Sequence, residues 1–420
     1  MTKALTAFLL VFTLFFGASS VSAAPAGADD EARFFVQTGK GLMGKGLRNL
    51  LGVRHEFADG FTTDSSAALV IGKISGANVF PVQRLNILPD AGTPAEPAAD
   101  AADPQGRGQG GKPDKSPTPT PEPSASPRPA PTGQVPWGVA LVLGSSGAPS
   151  GGASVSIAVL DTGVYTGHPD LSRRIAACRD YSQRKAPVVE DKCDDDNGHG
   201  THVAGIVAAD GGEDGLGIFG VAPAADILAY KVCGKSGSCW SDDIATAIRH
   251  AADNGAHIVT MSLGSDAKSS LIADAVAYAA GKGVLIIAAA GNDGPYDGSI
   301  DYPGALAEVI AVGAVDVEGA VAEWSSRGVN STTEPYVTQE GDIELVAPGV
   351  NIESTFKDGG YAILSGTSMA APHIAGLAAL GWQFGAEHEA GETRDWLHGL
   401  AADIAAAGDD DASGWGLCTL

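Results

Sequence analysis

Basic side chains are scarce in this chain. Lys and Arg total 26 against 50 Asp and Glu in 420 residues, a formal charge of −24. The deficit is local. Residues 1–133 carry 12 basic and 12 acidic side chains, so the whole excess of negative charge lies in 134–420. Nucleic acids and anionic membrane surfaces are polyanions and are disfavoured as partners of so acidic a body. Also lacking, beyond the N-terminus, is any run of 18 consecutive apolar residues, so no later segment reads as a membrane span. No cysteine lies near residues 21–23, which disfavours lipid attachment there.

The N-terminus itself has the three parts of an export signal: Lys3, an apolar stretch over 7–17, and small residues at Val21-Ser-Ala23. The expectation is a signal peptide over 1–23 and a secreted, extracellular product. Five cysteines suit an exported chain. Cys178 and Cys193 flank an acidic insert, and Cys233 and Cys239 flank Gly-Lys-Ser-Gly-Ser; both pairs are expected to be bridged, with Cys418 left over.

Composition divides the remainder into three. Residues 31–90 read as a compact α+β unit, with strands at 33–37, 67–74 and 82–87 and a short helix at 42–51. Residues 91–133, rich in Pro, Ala and Gly and including Ser116-Pro-Thr-Pro-Thr-Pro-Glu-Pro, cannot build a core and read as an extended linker. From 134 to 420 apolar runs alternate with helical segments. Strands are expected at 155–160, 227–232, 257–263, 284–290, 309–315 and 343–347, and helices at 199–209, 241–254, 270–282 and 368–380. Strands without polar alternation are buried on both faces. The pattern is that of an α/β fold, a mostly parallel twisted sheet with helices on both faces, whose ligands bind beyond the carboxyl ends of the strands.

Three segments place reactive groups at such ends. Ile157-Ala-Val-Leu-Asp161-Thr-Gly163 puts a carboxylate directly after a strand. Asn197-Gly-His199-Gly-Thr-His202-Val-Ala-Gly205 puts an imidazole at a helix start. Ser365-Gly-Thr-Ser368-Met-Ala-Ala-Pro-His373 opens an apolar helix with a serine. A serine hydroxyl is a poor nucleophile until an imidazole takes its proton and a carboxylate orients that imidazole. Taken singly, Asp161 reads as a turn residue and Ser368 as an N-cap. His199 and His202, at i and i+3, also read as a metal pair. The Glu that a His-Glu-x-x-His zinc site requires is missing, so His199 is taken as general base and His202 as structural. Ala288-Ala-Ala-Gly-Asn292 ends another buried strand with an amide able to donate to an oxyanion.

Together these stretches resemble the subtilisin family of serine endopeptidases. Further matches are Gln134-Val-Pro-Trp-Gly138, Gly220-Val-Ala-Pro223, Met261-Ser-Leu-Gly264, Tyr302-Pro303, Ile310-Ala-Val-Gly-Ala314 and Val346-Ala-Pro-Gly349. The resemblance implies a peptidase domain over 134–420, with Ser368 as nucleophile, His199 as base, Asp161 as its orienter, and Asn292 with the Ser368 N–H as oxyanion hole. It implies a groove lined by Ser262, Leu263, Gly264, Ala289 and Gly291 that binds polypeptides as an added strand. It also implies that 31–90 is a ferredoxin-like pro-domain that inhibits its own enzyme, made as an auto-processed zymogen, the active form being a monomer. About 40 linker residues separate that unit from the enzyme, an unusual spacing, which puts the maturation cut either near residues 88–90 or within the linker. Asp301 falls where model enzymes have a small residue in the floor of the pocket for P1, the residue whose carbonyl is attacked; a carboxylate there favours a basic or polar P1 side chain. Asp170, with Glu213 and Asp214 on the Gly-rich loop 212–217, matches a family calcium site, although Gly133 stands where the family has a Gln ligand and Gln134 is one position away. Two rival readings are a catalytically silent binding protein on the same fold and a zinc hydrolase using His199 and His202.

Overall fold

The computed structural model describes residues 32–38, 41–88, 90, 130–183, 186–330, 337–384 and 390–420. The proposed signal peptide and nearly all of the proposed linker lie outside the described residues. The chain forms two compact units, one ending at Pro81 and one beginning at Val82.

The smaller unit is a four-stranded antiparallel sheet in the order Glu56–Phe57, Gly60–Thr63, Phe34–Gln37, Asn78–Pro81. Helices Leu42–Leu51 and Ala67–Ser75 supply the other layer. This β-α-β-β-α-β order is ferredoxin-like. Phe34, Val36, Leu47, Leu51, Phe61 and Ala68 form its core. Residues 67–74 are helical, not the strand that their β-branched content suggests. Ala68 and Gly72, one turn apart, are the buried pair, and the helix stops at left-handed Gly76. A side chain at Gly72 would come within 2.4 Å of Val79 Cγ2, so the helix packs here by bare backbone.

The larger unit is built on a ten-stranded sheet. Its centre runs Leu345–Pro348, Val309–Val315, Leu285–Ala289, Ile258–Met261, Ser156–Asp161, Asp226–Lys231 and Ile175–Asp180, all parallel. Every residue of Ile258–Met261 and Val309–Val315 is buried, as strands covered on both faces require. Helix His199–Ala208 is buried along its whole length, and Thr367–Phe384 runs beside it through the core. Both expected disulfides are present, with Cα atoms 5.2 Å apart for Cys178–Cys193 and 4.2 Å for Cys233–Cys239. Cys418 is buried, with Sγ directed to the Leu397 carbonyl. Strand Ile175–Asp180, hairpin Ile352–Thr355/Tyr361–Leu364 and helix Ala390–Leu400 carry too little periodic signal to be read beforehand. That last helix is docked by Glu344, fully buried and bonded to Arg394 and to His398, whose ring stacks on Trp415 at 4.6 Å.

Residues 82–90 fold with the larger unit. Arg84–Ile87 is the middle strand of a small antiparallel sheet, between Ser238–Trp240 and Leu263–Gly264. Its registers are Leu85 opposite Cys239, Asn86 opposite Gly264 and Ile87 opposite Leu263. The Arg84 guanidinium sits 4.3 Å from the centre of the Trp240 ring.

Candidate active site

Asp161 is the last residue of the strand about which the sheet's connections reverse: the strands that follow it in the chain, Ile175–Asp180 and Asp226–Lys231, lie on one side, and Ile258–Met261 pairs on the other. Its Oδ1 lies 2.8 Å from Nδ1 of His199 and also accepts the Thr162 N–H at 2.7 Å. The imidazole is thereby fixed with Nδ1 toward the carboxylate. Nε2 is buried and makes no hydrogen bond among the described residues. Burial pushes the His199 pKa down, but the charge and hydrogen bond of Asp161, with Asp195 and Asp90 further off, outweigh it and hold the imidazole above its ordinary value.

Asp195 explains how the helix of His199 is held, and sequence reading missed it. One oxygen accepts from Thr162 Oγ1 (2.9 Å), Asn197 N (3.0 Å) and Gly198 N (2.8 Å); the other accepts from Thr201 N (2.9 Å) and Thr201 Oγ1 (2.6 Å). A carboxylate satisfying the free amides of a helix start is a strong cap. The signal was there: an Asp four residues before a histidine that opens a helix. His202 stands apart from this chemistry. Its Nε2 faces the carbonyls of Ile352 (3.0 Å) and Ala362 (3.1 Å), and burial first, then the neighbouring His199, drives its pKa down to about 3. It is a neutral core histidine, as expected.

Ser368 opens the long helix beside the carboxyl end of Ile258–Met261. Ser262, next after that strand, donates its hydroxyl to the Ser368 carbonyl at 2.8 Å, and Ser368 Oγ lies 3.4 Å from the Ser262 carbonyl. Ser262 therefore holds the Ser368 backbone. Thr367 ties the same helix start to Asn292: the Asn292 Oδ1 accepts from Thr367 N and Thr367 Oγ1, both at 3.0 Å, and the Thr367 hydroxyl accepts the Gly291 N–H at 3.1 Å. Fixing Oδ1 fixes the direction of the Nδ2 donor.

Leu263–Gly264, expected as one edge of the groove, pairs antiparallel with Arg84–Ile87, which lies against it as an added strand. Leu85 is buried, Asn86 exposed, Ile87 half-buried and Leu88 buried. Continuing the register brings Leu88 level with Ser262. Asp90 follows, accepting the Ser365 N–H at 2.9 Å. Ala289 and Gly291 belong to the neighbouring strand end, and Asp301 is tied to it by its own N–H, 2.8 Å from the Ala290 carbonyl.

The metal candidates divide. Asp170 Oδ2 accepts from the Ile218 N–H (3.0 Å) and from the Tyr361 hydroxyl (2.8 Å). Oδ1 faces the loop backbone: a side chain at Gly217 would come 1.9 Å from it, and one at Gly212 3.0 Å. The Gln134 amide reaches the Gly215 carbonyl, and Asp214 Oδ1 accepts the Leu216 N–H at 3.0 Å. So Gln134 reaches the loop despite its shift of one position. Glu213 is exposed and lies near enough to Arg173 to act on its charge.

A family model described as the subtilase family matches residues 152–416. Among curated proteins, "Subtilisin" of Bacillus sp. (strain TA39) is 49% identical over 304 residues, covering 68% of this chain and 72% of that protein. "Subtilisin Savinase" of Lederbergia lenta is 43% identical over 248 residues, 59% of this chain and 83% of that protein. Among solved structures, "S41 Psychrophilic Protease" is similar with a TM-score of 0.67 at 49% identity, covering 69% of this chain and all of that one. "Sphericase" is similar with a TM-score of 0.66, also at 49% identity, covering 69% of this chain and 99% of that one.

Proposed function

The chain belongs to the subtilase family and is a serine-type endopeptidase, and from that premise we propose that Ser368, His199 and Asp161 form its catalytic triad, with Asn292 in the oxyanion hole. The observation that carries this is the fixed His199: Nδ1 on Asp161, Nε2 free of other bonds, at the strand end beside the helix that Ser368 opens. In the reaction Ser368 Oγ attacks the scissile carbonyl and its proton passes to His199 Nε2. Asp161 stabilises the imidazolium without being protonated itself. Negative charge on the former carbonyl oxygen meets Asn292 Nδ2 and the Ser368 N–H. His199 then returns the proton to the leaving amine, and the acyl-enzyme is hydrolysed by a water that His199 activates. The groove residues are Ser262, Leu263, Gly264, Ala289, Gly291 and Asp301, and the substrate is a polypeptide bound in the register seen for Leu85–Ile87.

The protein is secreted and made as a zymogen. Residues 84–88 lie in the groove as a substrate would, and this supports self-inhibition by the chain's own pro-segment, with 31–90 as that segment and 91–133 as a spacer. Calcium is a structural cofactor. Asp170 Oδ1, the Asp214 carboxylate and the Gly215 carbonyl, on which the Gln134 amide N–H now rests, are hard donors around a Gly-built cradle that any side chain at Gly217 would fill. A bound cation there would pin the loop 212–217 to the N-terminal segment; it supplies rigidity and takes no part in acyl transfer. Glu213 contributes charge rather than a fixed ligand atom. The experiment is covalent labelling of the purified enzyme by an organophosphonate. One label on Ser368, lost in His199→Ala, is the expected result. Equal labelling of the variant refutes the triad, and absence of both labelling and hydrolysis in the wild type favours a silent binding protein.

A further inference from the structure

The strand Arg84–Ile87 is held on both sides, and the chain continues beyond it to the level of Ser262. Gln83 anchors its start, with the side-chain amide on the Ser265 hydroxyl (3.2 Å) and the Ala267 carbonyl (2.7 Å). Arg84–Ile87 then pairs with Ser238–Trp240 and with Leu263–Gly264, and the Ile87 N–H reaches the Gly237 carbonyl at 2.8 Å. A side chain at Gly237 would come 2.6 Å from Ile87 Cγ1, so only bare backbone fits there. Leu88, level with Ser262, is buried in the main core. Asp90 is fixed two residues on: its Oδ1 accepts the N–H of Ser365, three residues ahead of Ser368, at 2.9 Å, and its charge reaches His199. Leu88 and Asp90 are thus both placed beside the nucleophile, one by its register with Ser262 and one by its bond to Ser365. Between them the sequence has Pro89, which lies outside the described residues.

We propose that this segment is an occupant the enzyme cannot cut where it binds, and that activation requires hydrolysis within 91–133 by a second, already active copy of this chain. The proposal rests on the endopeptidase reading and its triad. In that reading Leu88 stands at P1, and the bond offered to Ser368 is Leu88–Pro89. Acyl transfer requires the leaving nitrogen to take a proton from His199 Nε2, so its lone pair must turn toward the imidazolium. An ordinary peptide nitrogen carries one hydrogen and can turn. A proline nitrogen is closed into a ring, carries no hydrogen and has its torsion fixed. An adduct of Ser368 with the Leu88 carbonyl therefore reverts instead of expelling the amine. Proline also biases the residue before it toward the extended conformations that strand addition needs, which lowers the entropy lost on binding. One residue thus favours the occupant and blocks its hydrolysis. The linker, by contrast, has proline-free stretches at 98–103 and 105–112, whose bonds have ordinary leaving nitrogens. There Ser368 of the second molecule forms an ester with the linker carbonyl, the C–N bond breaks, and the amine leaves with the proton from His199. Water then hydrolyses the ester. The blocked molecule cannot make this cut on itself, because residues 84–90 cover its own serine.

The test follows processing of the full-length wild-type chain and of Pro89→Ala by terminal sequencing and intact mass, at several protein concentrations. Wild-type fragments are expected to begin and end within 91–133, with none ending at Leu88. Their rate should rise with concentration and with a seed of active enzyme, and the inactive Ser368→Ala chain should be cut at the same linker bonds by that seed. Pro89→Ala should instead be cut after Leu88 at a rate independent of concentration. That bond should break at least about 10²-fold faster than in the wild type, the lower end of what proton transfer to a leaving group contributes. Should the variant fold poorly, synthetic peptides of residues 82–92 report the same chemistry: the native peptide inhibits active enzyme and stays intact, and the Pro89→Ala peptide is consumed. A wild-type fragment ending at Leu88, a linker cut whose rate ignores dilution, or an intact Pro89→Ala peptide overturns the proposal while leaving the triad standing. No hydrolysis of any chain or peptide, with no phosphonate label on Ser368, overturns the endopeptidase reading and the proposal with it.

Discussion

Asp195 and Asp301 are both buried carboxylates at the same end of the same sheet, and they are treated in opposite ways. Asp195 accepts five hydrogen bonds from the start of the helix that carries His199. Asp301 accepts none among the described residues and faces two further carboxylates. The first arrangement serves rigidity: charge-assisted bonds fix where an imidazole must stand. The second carries a cost: a buried carboxylate with no hydrogen bond beside other carboxylates is destabilising once ionised. The contrast separates a carboxylate that holds the site from one that the fold leaves without a partner among the described residues.

The largest effects should come from the rigid side. His199→Ala or Ser368→Ala is expected to lower kcat by about 10⁶-fold, a magnitude carried over from subtilisin itself rather than from this structure. Active-site titration with steady-state kinetics checks it, and a loss below a hundredfold would mean that the pair at 2.8 Å is not catalytic. Asn292→Ala should cost about 10²–10³ in kcat with little change in KM, again a figure from a subtilisin relative. A change confined to KM would move Asn292 from the oxyanion hole to the groove.

Stability sharpens the contrast with opposite signs. Asp195→Asn puts an NH2 group against the Thr201 N–H and should destabilise the fold by about 2–4 kcal/mol in urea unfolding. Asp301→Asn should do the reverse at alkaline pH. The folded pKa of Asp301, about 7, lies above its ordinary 3.8, so the wild type is least penalised below pH 4 and loses stability as pH rises toward and through 7. The variant escapes that loss, by up to about 4 kcal/mol at pH 8 and by nothing below pH 4. Melting curves of both proteins from pH 4 to 9 decide it; parallel curves would mean that Asp301 is already satisfied. The smallest expected effect belongs to the loop 212–217. Chelation of calcium at matched ionic strength should lower Tm, and Asp170→Asn should remove most of that sensitivity. A Tm indifferent to the chelator would leave the Gly217 cradle as a packing feature only.

Much of this was readable before folding. Asp161, His199, Ser368 and Asn292 each end or open an element whose apolar pattern is strong, so their positions at strand ends followed from periodicity. The buried parallel strands were legible for the same reason. The helix at 67–75 was not, because an apolar run rich in Leu, Val and Ile looks the same in either state until its neighbour Val79 selects one face. Asp195 was missed because a capping residue within an acidic insert has no periodicity to mark it.

Sequence by itself therefore set out the chemistry on offer: which residues are the candidates for nucleophile, base and orienter, and which strands and helices carry them. Tertiary structure alone decided that Arg84–Ile87 pairs as a strand between Ser238–Trp240 and Leu263–Gly264, that Asp195 braces the imidazole's helix, and that Asp266, Asp293 and Asp301 converge. The physical reason is range. Hydrophobic periodicity is a local property and is written every two or three to four residues along the chain. The meeting of three carboxylates carried on separate loops is set by how those loops end on neighbouring strands, and no local pattern records it.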